Sequence, residues 1–124
     1  MGITTLFFDS YAFFEIIKGN KNYEAYLNKV AIITTRLNLM ELYYGLIIKE
    51  GREKAEKYYD YLVKFVVDFD DEIIKEAMLF RAENKPKKLS YVDCIGYMIA
   101  LKNNVMFLTG DEQFKGFPDV EFVK

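Results

Sequence analysis

Apolar positions along this chain switch repeatedly between two periods. Short runs in which almost every residue is apolar alternate with longer stretches whose apolar residues recur every three or four positions. The first run, residues 4–9, carries Leu6, Phe7 and Phe8 and predicts a strand ending at Asp9. Ser10 then stands where a cap is wanted for a helix over 11–18, with Phe13, Phe14 and Ile17 on one face and Gly19 just past its end. A short helix is expected over 22–28 and a second strand over 31–34. A strongly apolar helix over 37–49 stops at Gly51, and another over 53–63 completes a helical hairpin. Residues 65–68 read as a third strand, and Asp70 or Asp71 caps a helix over 72–84. After the loop NKPKKLS the spacing is helical from 90 to about 103, residues 105–109 form a fourth strand, and 120–123 a fifth after a Gly/Pro turn. Strands that alternate with helices predict an α/β fold whose sheet of about five strands is mostly parallel.

Length and composition narrow what such a fold can do. With 124 residues and 14.6 kDa, one domain over 1–124 is expected. A folded monomer of that mass exposes roughly 6,900 Å² of about 21,200 Å² in the extended chain, enough burial to need neither disulfide nor structural metal. Apolar residues make up 52% and charged residues 29%, which excludes disorder. The 17 basic residues are outnumbered by 19 acidic ones, so a general basic coat for nucleic acid is absent and any such contact must be local. Histidine is missing and Cys94 stands alone, which removes His acid–base catalysis, Cys/His zinc sites, dithiol redox chemistry and internal disulfides. The opening MGITTLFF lacks a basic leader and no apolar window is long enough to span a bilayer, so a cytoplasmic protein with no membrane association is expected.

The remaining chemistry lies in the acids. In a parallel α/β unit the carboxyl ends of strands and the starts of the following helices share one edge, where such folds bind ligands. Asp9 closes the first strand, and Asp111 follows the fourth in LTGDEQF. Glu41 lies early in the helix after the second strand, and Asp93 in the first turn of the helix before the fourth. From Tyr91 to Leu101, Asp93 is the only charged residue. Burial raises a carboxyl pKa, whereas a helix N-terminus opposes the rise and keeps the group ionised. Four clustered carboxylates repel one another, so a divalent cation is the natural counterweight, and an all-oxygen donor set selects Mg²⁺ or Mn²⁺ over zinc.

Each acid also has a plainer explanation. Ser90 with Asp93 fits a capping box, Asn38 with Glu41 loosely resembles one, and Asp9 and Asp111 suit turns. Ser10 and Thr109 read as caps or turn formers that alternatively bond an acid or a metal-bound water. Cys94 reads as a small packed residue, and Gly45 and Gly96 as sites of close helix approach. Lys85, Lys87 and Lys88 precede the Asp93 helix and are either a solvated loop or phosphate contacts. The tyrosines at 43, 44, 58, 59 and 61 fit core packing or a subunit interface better than base stacking.

Taken in order, these motifs give a chain that resembles a PIN domain, and within it the small toxin ribonucleases of the VapC type. The resemblance rests on Asp9 and Ser10 in LFFDSYAF, Glu41 in NLMELYYG, Asp93 in LSYVDCIGYMIA, and Thr109, Asp111 and Phe114 in the last motif. Tyr91 and Val92 depart from the small residues many relatives carry before the third acid. The resemblance implies a three-layer fold and a metal-dependent endoribonuclease, often homodimeric, held inactive by a cognate antitoxin. It implies Asp9 and Asp93 as principal Mg²⁺ or Mn²⁺ ligands, Asp111 as a direct or water-mediated one and Glu41 as a ligand through water. A receiver-like phosphotransfer domain fits less well, lacking paired acids near the first strand and a Lys after the last. A haloacid-dehalogenase-like phosphatase wants a second Asp where Tyr11 stands. A non-catalytic RNA- or protein-binding module remains the alternative.

Overall fold

The structure, a computed structural model, describes residues 2–124. Strand β1 (Thr4–Phe8) lies inside a four-stranded sheet ordered β2-β1-β3-β4, with β2 at Val30–Ile33, β3 at Met106–Thr109 and β4 at Val120–Phe122. Every pairing is parallel, with Leu6 opposite Ile32 on one side and Met106 on the other. A strand between two parallel neighbours is covered on both faces, which is why Leu6, Phe7 and Phe8 run apolar without alternation and are all buried.

The pleat divides those residues between two cores. Leu6, Phe8 and Leu108 face a cluster built with Ala12 and Phe13 from α1 (Ser10–Lys18), Leu39, Leu42 and Leu46 from α2 (Arg36–Glu50), and Ala55 and Leu62 from α3 (Arg52–Leu62). Phe7 and Phe107, stacked at 5.6 Å, face the other cluster, with Ile73 and Ala77 from α4 (Asp71–Glu83) and Ile95, Tyr97 and Ile99 from α5 (Tyr91–Lys102). Helices thus cover both faces of the sheet, giving three layers. No helix among the described residues is long and apolar enough to cross a membrane.

Local chemistry sets the boundaries. Gly51, at φ 96°, ends α2 and begins α3, a backbone setting that other residues rarely adopt, and so closes the helical hairpin in one residue. Gly96 brings α5 onto the sheet: a Cβ there would lie 2.8 Å from the Phe7 ring, and one at Gly45 would strike the ring of Phe14. Asp70 caps α4, accepting from the Ile73 amide at 3.0 Å.

Several expectations are corrected. The third strand expected over 65–68 is a single parallel bridge between Thr34 and Val66, so the sheet has four strands. Residues Val63–Phe65 continue α3 as a 3₁₀ turn and the acids of DFDD lead into α4, which leaves too little extended chain for a ladder. The helix expected over 22–28 is a 3₁₀ segment, Lys21–Tyr26. Ser10 is the first residue of α1 and not its cap; Asp9 holds the cap position but its side chain makes no capping bond.

A candidate metal centre at the sheet's carboxyl edge

The elements bring the four acids to one place. Asp9 follows β1, Asp111 follows β3, and Glu41 and Asp93 lie near the starts of α2 and α5. Asp9 is 3% exposed, and the other three are half-buried. Asp9 feels the negative charge of Asp93 and Glu41, and Asp93 feels that of Asp111 and Glu41. Burial, then the Asp93 charge, pushes the Asp9 carboxyl up to about 8, against the Thr109 hydrogen bond and the nearby Ser10 backbone amide, which pull it down. Asp93 is raised too, chiefly by burial, with the bonds from Ser90 opposing. Among the described residues no lysine or arginine forms a salt bridge with any of the four.

Each carboxylate is held by a different neighbour. The Thr109 hydroxyl donates to Asp9 Oδ2 at 2.8 Å and accepts from the Asp111 amide at 3.1 Å, so one side chain ties two of the acidic positions together. Asp111 Oδ1 accepts from the Gln113 amide at 3.0 Å. The capping box is formed: the Ser90 amide donates to Asp93 Oδ2 at 2.9 Å, and the Asp93 amide to Ser90 Oγ at 3.0 Å. Asn38 does not cap Glu41. The cap of α2 is Thr35, which accepts from the Asn38 amide at 3.2 Å.

Asn38 itself is fully buried and was not singled out by the sequence as more than a helix end. Its side-chain amide donates to Ser10 Oγ at 3.0 Å, and Ser10 in turn donates to Glu41 Oε1 at 2.7 Å. Thr35 donates to Asn38 Oδ1 at 2.7 Å. The chain Thr35–Asn38–Ser10–Glu41 therefore has a defined direction and fixes the Glu41 carboxylate, with every buried polar atom of Asn38 satisfied. An Asn among Leu37, Leu39 and Leu42 is the sequence signal that finds it.

One atom stands out. Asp9 Oδ1 is buried and has no hydrogen-bond partner. A buried oxygen without a donor costs on the order of 1–3 kcal/mol, and more when the group is charged, unless something supplies positive charge. An oxygen-only donor set around that orphan suits a hard divalent ion. Among the described residues, however, no three acidic groups stand close enough to grip one ion as they are placed. The carboxylates sense one another's charge without forming a closed cage.

The remaining expected residues lie nearby. Lys85, Lys87 and Lys88 are exposed in the loop before α5; the Lys87 ammonium is 5.2 Å from the Phe117 ring, and the Lys88 amide donates to Gln113 at 3.1 Å. Cys94 is buried, and burial pushes its thiol up to about 11, as a packed and unreactive side chain requires. Tyr43, Tyr58 and Tyr59 lean on the first core, while Tyr44 and Tyr61 are exposed.

The order of strand, acid and helix matches a known family. The PIN domain family model aligns with residues 6–120. The chain belongs to the PIN domain family. No curated protein sequence matches it. Solved structures resemble this PIN domain over nearly the whole chain. VapC20 of Mycobacterium tuberculosis, a sarcin-ricin loop cleaving toxin, is similar with a TM-score of 0.79 at 15% identity, covering 96% of this chain and 99% of its own. A toxin–antitoxin complex from Klebsiella pneumoniae gives 0.74 at 18% identity, over 94% and 95%. The DNA-bound VapBC complex of Salmonella typhimurium gives 0.72 at 19%, over 96% of each. At such identities the likeness establishes the fold.

Proposed function

We propose that this PIN domain is a metal-dependent endoribonuclease, the toxin of a toxin–antitoxin pair, that hydrolyses RNA phosphodiesters. The observation that carries this reading is Asp9 Oδ1, a buried oxygen without a partner, on a carboxyl raised by burial and by its acidic neighbours. Mg²⁺ or Mn²⁺ would be held by Asp9, Asp93 and Asp111, with Glu41 beside them. When bound, such an ion supplies an activated water and charge stabilisation for a departing oxygen.

The chain's own residues prepare that site. Thr109 occupies Asp9 Oδ2 and leaves Oδ1 unshared; the Ser90 amide does the same for Asp93 Oδ2; Ser10 orients Glu41. Supporting bonds of this kind tune and orient ligands. The chain's net charge of −2 repels RNA, so Lys85, Lys87 and Lys88 draw phosphate toward the edge. An arginine from an antitoxin would satisfy the same carboxylates with a planar, permanent charge. A homodimer is supported by an exposed apolar stripe on α2, where Met40, Tyr44 and Ile48 recur every four residues. The expected setting is the cytoplasm.

The test is cleavage of single-stranded RNA by the purified chain. Mg²⁺ or Mn²⁺ should support it, and EDTA or Asp9→Asn should abolish it. Cleavage that continues unchanged in EDTA would overturn the reading.

A further inference from the structure

The carboxylates leave a neighbouring group of side chains without a part. Tyr91 opens α5, two residues before Asp93, and is 61% exposed, although most aromatic rings of this chain are packed into its cores. Arg81, near the end of α4, sets its guanidinium carbon 4.4 Å from the centre of the Tyr91 ring. That guanidinium is fixed from behind, since its Nε donates to the Leu89 carbonyl at 2.9 Å. A ring backed by an anchored arginine has little freedom to lose on binding. Arg81, Lys85 and Lys87 also line a cavity of about 380 Å³ with Met78 and Ala82. Among the described residues none of Arg81, Lys85, Lys87 and Lys88 forms a salt bridge, whereas Lys54, Lys102 and Lys124 do.

We propose that Tyr91 and Arg81 form a subsite for one unpaired RNA base beside the carboxylate cluster, with Lys85 and Lys87 taking an adjoining phosphate. The inference rests on the nuclease reading and deepens it to how one unpaired base of the substrate is held. An exposed aromatic face stacks on any base, and a cation beneath it strengthens the layer. Tyr91 and Asp93 share the first turn of α5, about 3 Å apart along the axis and roughly 200° apart around it, so the ring and the carboxylate flank the same helix start from two sides. An arginine against the exposed ring, with Lys85 and Lys87 sharing its cavity and none of the three in a salt bridge among the described residues, suits an anionic polymer with π faces, and duplex RNA keeps its bases stacked on one another and out of reach.

The test separates this subsite from catalysis by measuring binding in EDTA, where no cleavage is expected. A fluorescein-labelled single-stranded RNA hexamer is titrated with the whole chain at one fixed low salt concentration and followed by anisotropy. Tyr91→Ala should weaken binding about five- to tenfold, and Tyr91→Phe should bind like the native chain. Hexamers with a single abasic position are then scanned. At one position the abasic RNA should lose the same factor on the native chain and lose nothing further on Tyr91→Ala. Lys85→Ala and Lys87→Ala should each lower the slope of log affinity against log salt by about one. Equal affinity of the native and Tyr91→Ala chains for every hexamer overturns the subsite, as does a native chain that binds no hexamer. A Tyr91→Ala chain whose oligomeric mass changes while its RNA affinity does not overturns it in favour of a contact between copies. A native chain that binds as expected yet never cleaves with metal overturns the nuclease reading and leaves the subsite standing.

Discussion

Asp9 and Asp93 stand at the starts of two helices and do different work there. Asp93 is part of its helix: its Oδ2 accepts the Ser90 amide and completes a capping box. Asp9 holds the cap position of α1 but gives it no side-chain bond; its Oδ2 is taken by Thr109, a hundred residues away, and its Oδ1 by nothing. A residue that stabilises its own element has a structural reason to be there. One that is buried, raised in pKa and unused by its element does not, and under the proposed reading it marks where the fold carries a cost for the sake of chemistry.

Substitution at each position sharpens that contrast. Asp9→Asn should lower RNA cleavage by on the order of 10³-fold, the scale of losing several kcal/mol of charge stabilisation. The same variant should melt roughly 3–6 °C higher than the native chain in EDTA at pH 8, because the crowded charge is gone. A lower melting temperature would make Asp9 structural. Asp93→Asn and Asp93→Ala should both lose cleavage, but Asn keeps an acceptor for the Ser90 amide. Asn should therefore be the more stable by about 1 kcal/mol in urea titration. Ser10→Ala frees Glu41 and should raise the Mg²⁺ concentration for half-maximal cleavage by about tenfold, the usual cost of losing a supporting bond.

The same contrast is read in stability against pH. Asp9 holds its proton up to about 8 when folded, against 3.8 for the unreacted group. Between those values the unfolded chain releases the proton and the folded chain keeps it, so stability falls as pH rises from about 4 to 8. In EDTA the loss between pH 5 and 8 should be on the order of 2 kcal/mol by urea titration, shrinking in Asp9→Asn. A native profile as flat as that of Asp9→Asn would remove the buried-charge account.

The sequence is most readable where burial is two-sided. The run Leu6, Phe7, Phe8 has one explanation, a central parallel strand, and the alternation of elements then carries Asp9, Glu41, Asp93 and Asp111 to one edge. The 65–68 strand failed because two or three apolar residues beside DFDD say nothing about whether a neighbour is there to pair with. Ser10 was legible in part: the local cap is not formed, but the alternative, a bond to an acid, is, and its partners Asn38 and Glu41 lie 28 and 31 residues away, where no local pattern points. Tyr91 and Arg81 meet only after the 84–90 loop has folded back, so ten residues of separation hid a 4.4 Å contact.

The bond from Thr109 to Asp9 has a bearing on how the protein is made. It spans 100 residues, and β3 must slide in beside β1 before it forms. Parallel pairings between distant segments come late, after loop closure has been overcome. On a ribosome synthesising from the amino end, Asp9 emerges early and waits without its partner until Thr109 has been polymerised and released from the exit tunnel. The acidic edge therefore cannot exist in a nascent chain from which Thr109 has not yet emerged. A protein with the activity proposed here would be inactive toward its own messenger up to that point of its synthesis.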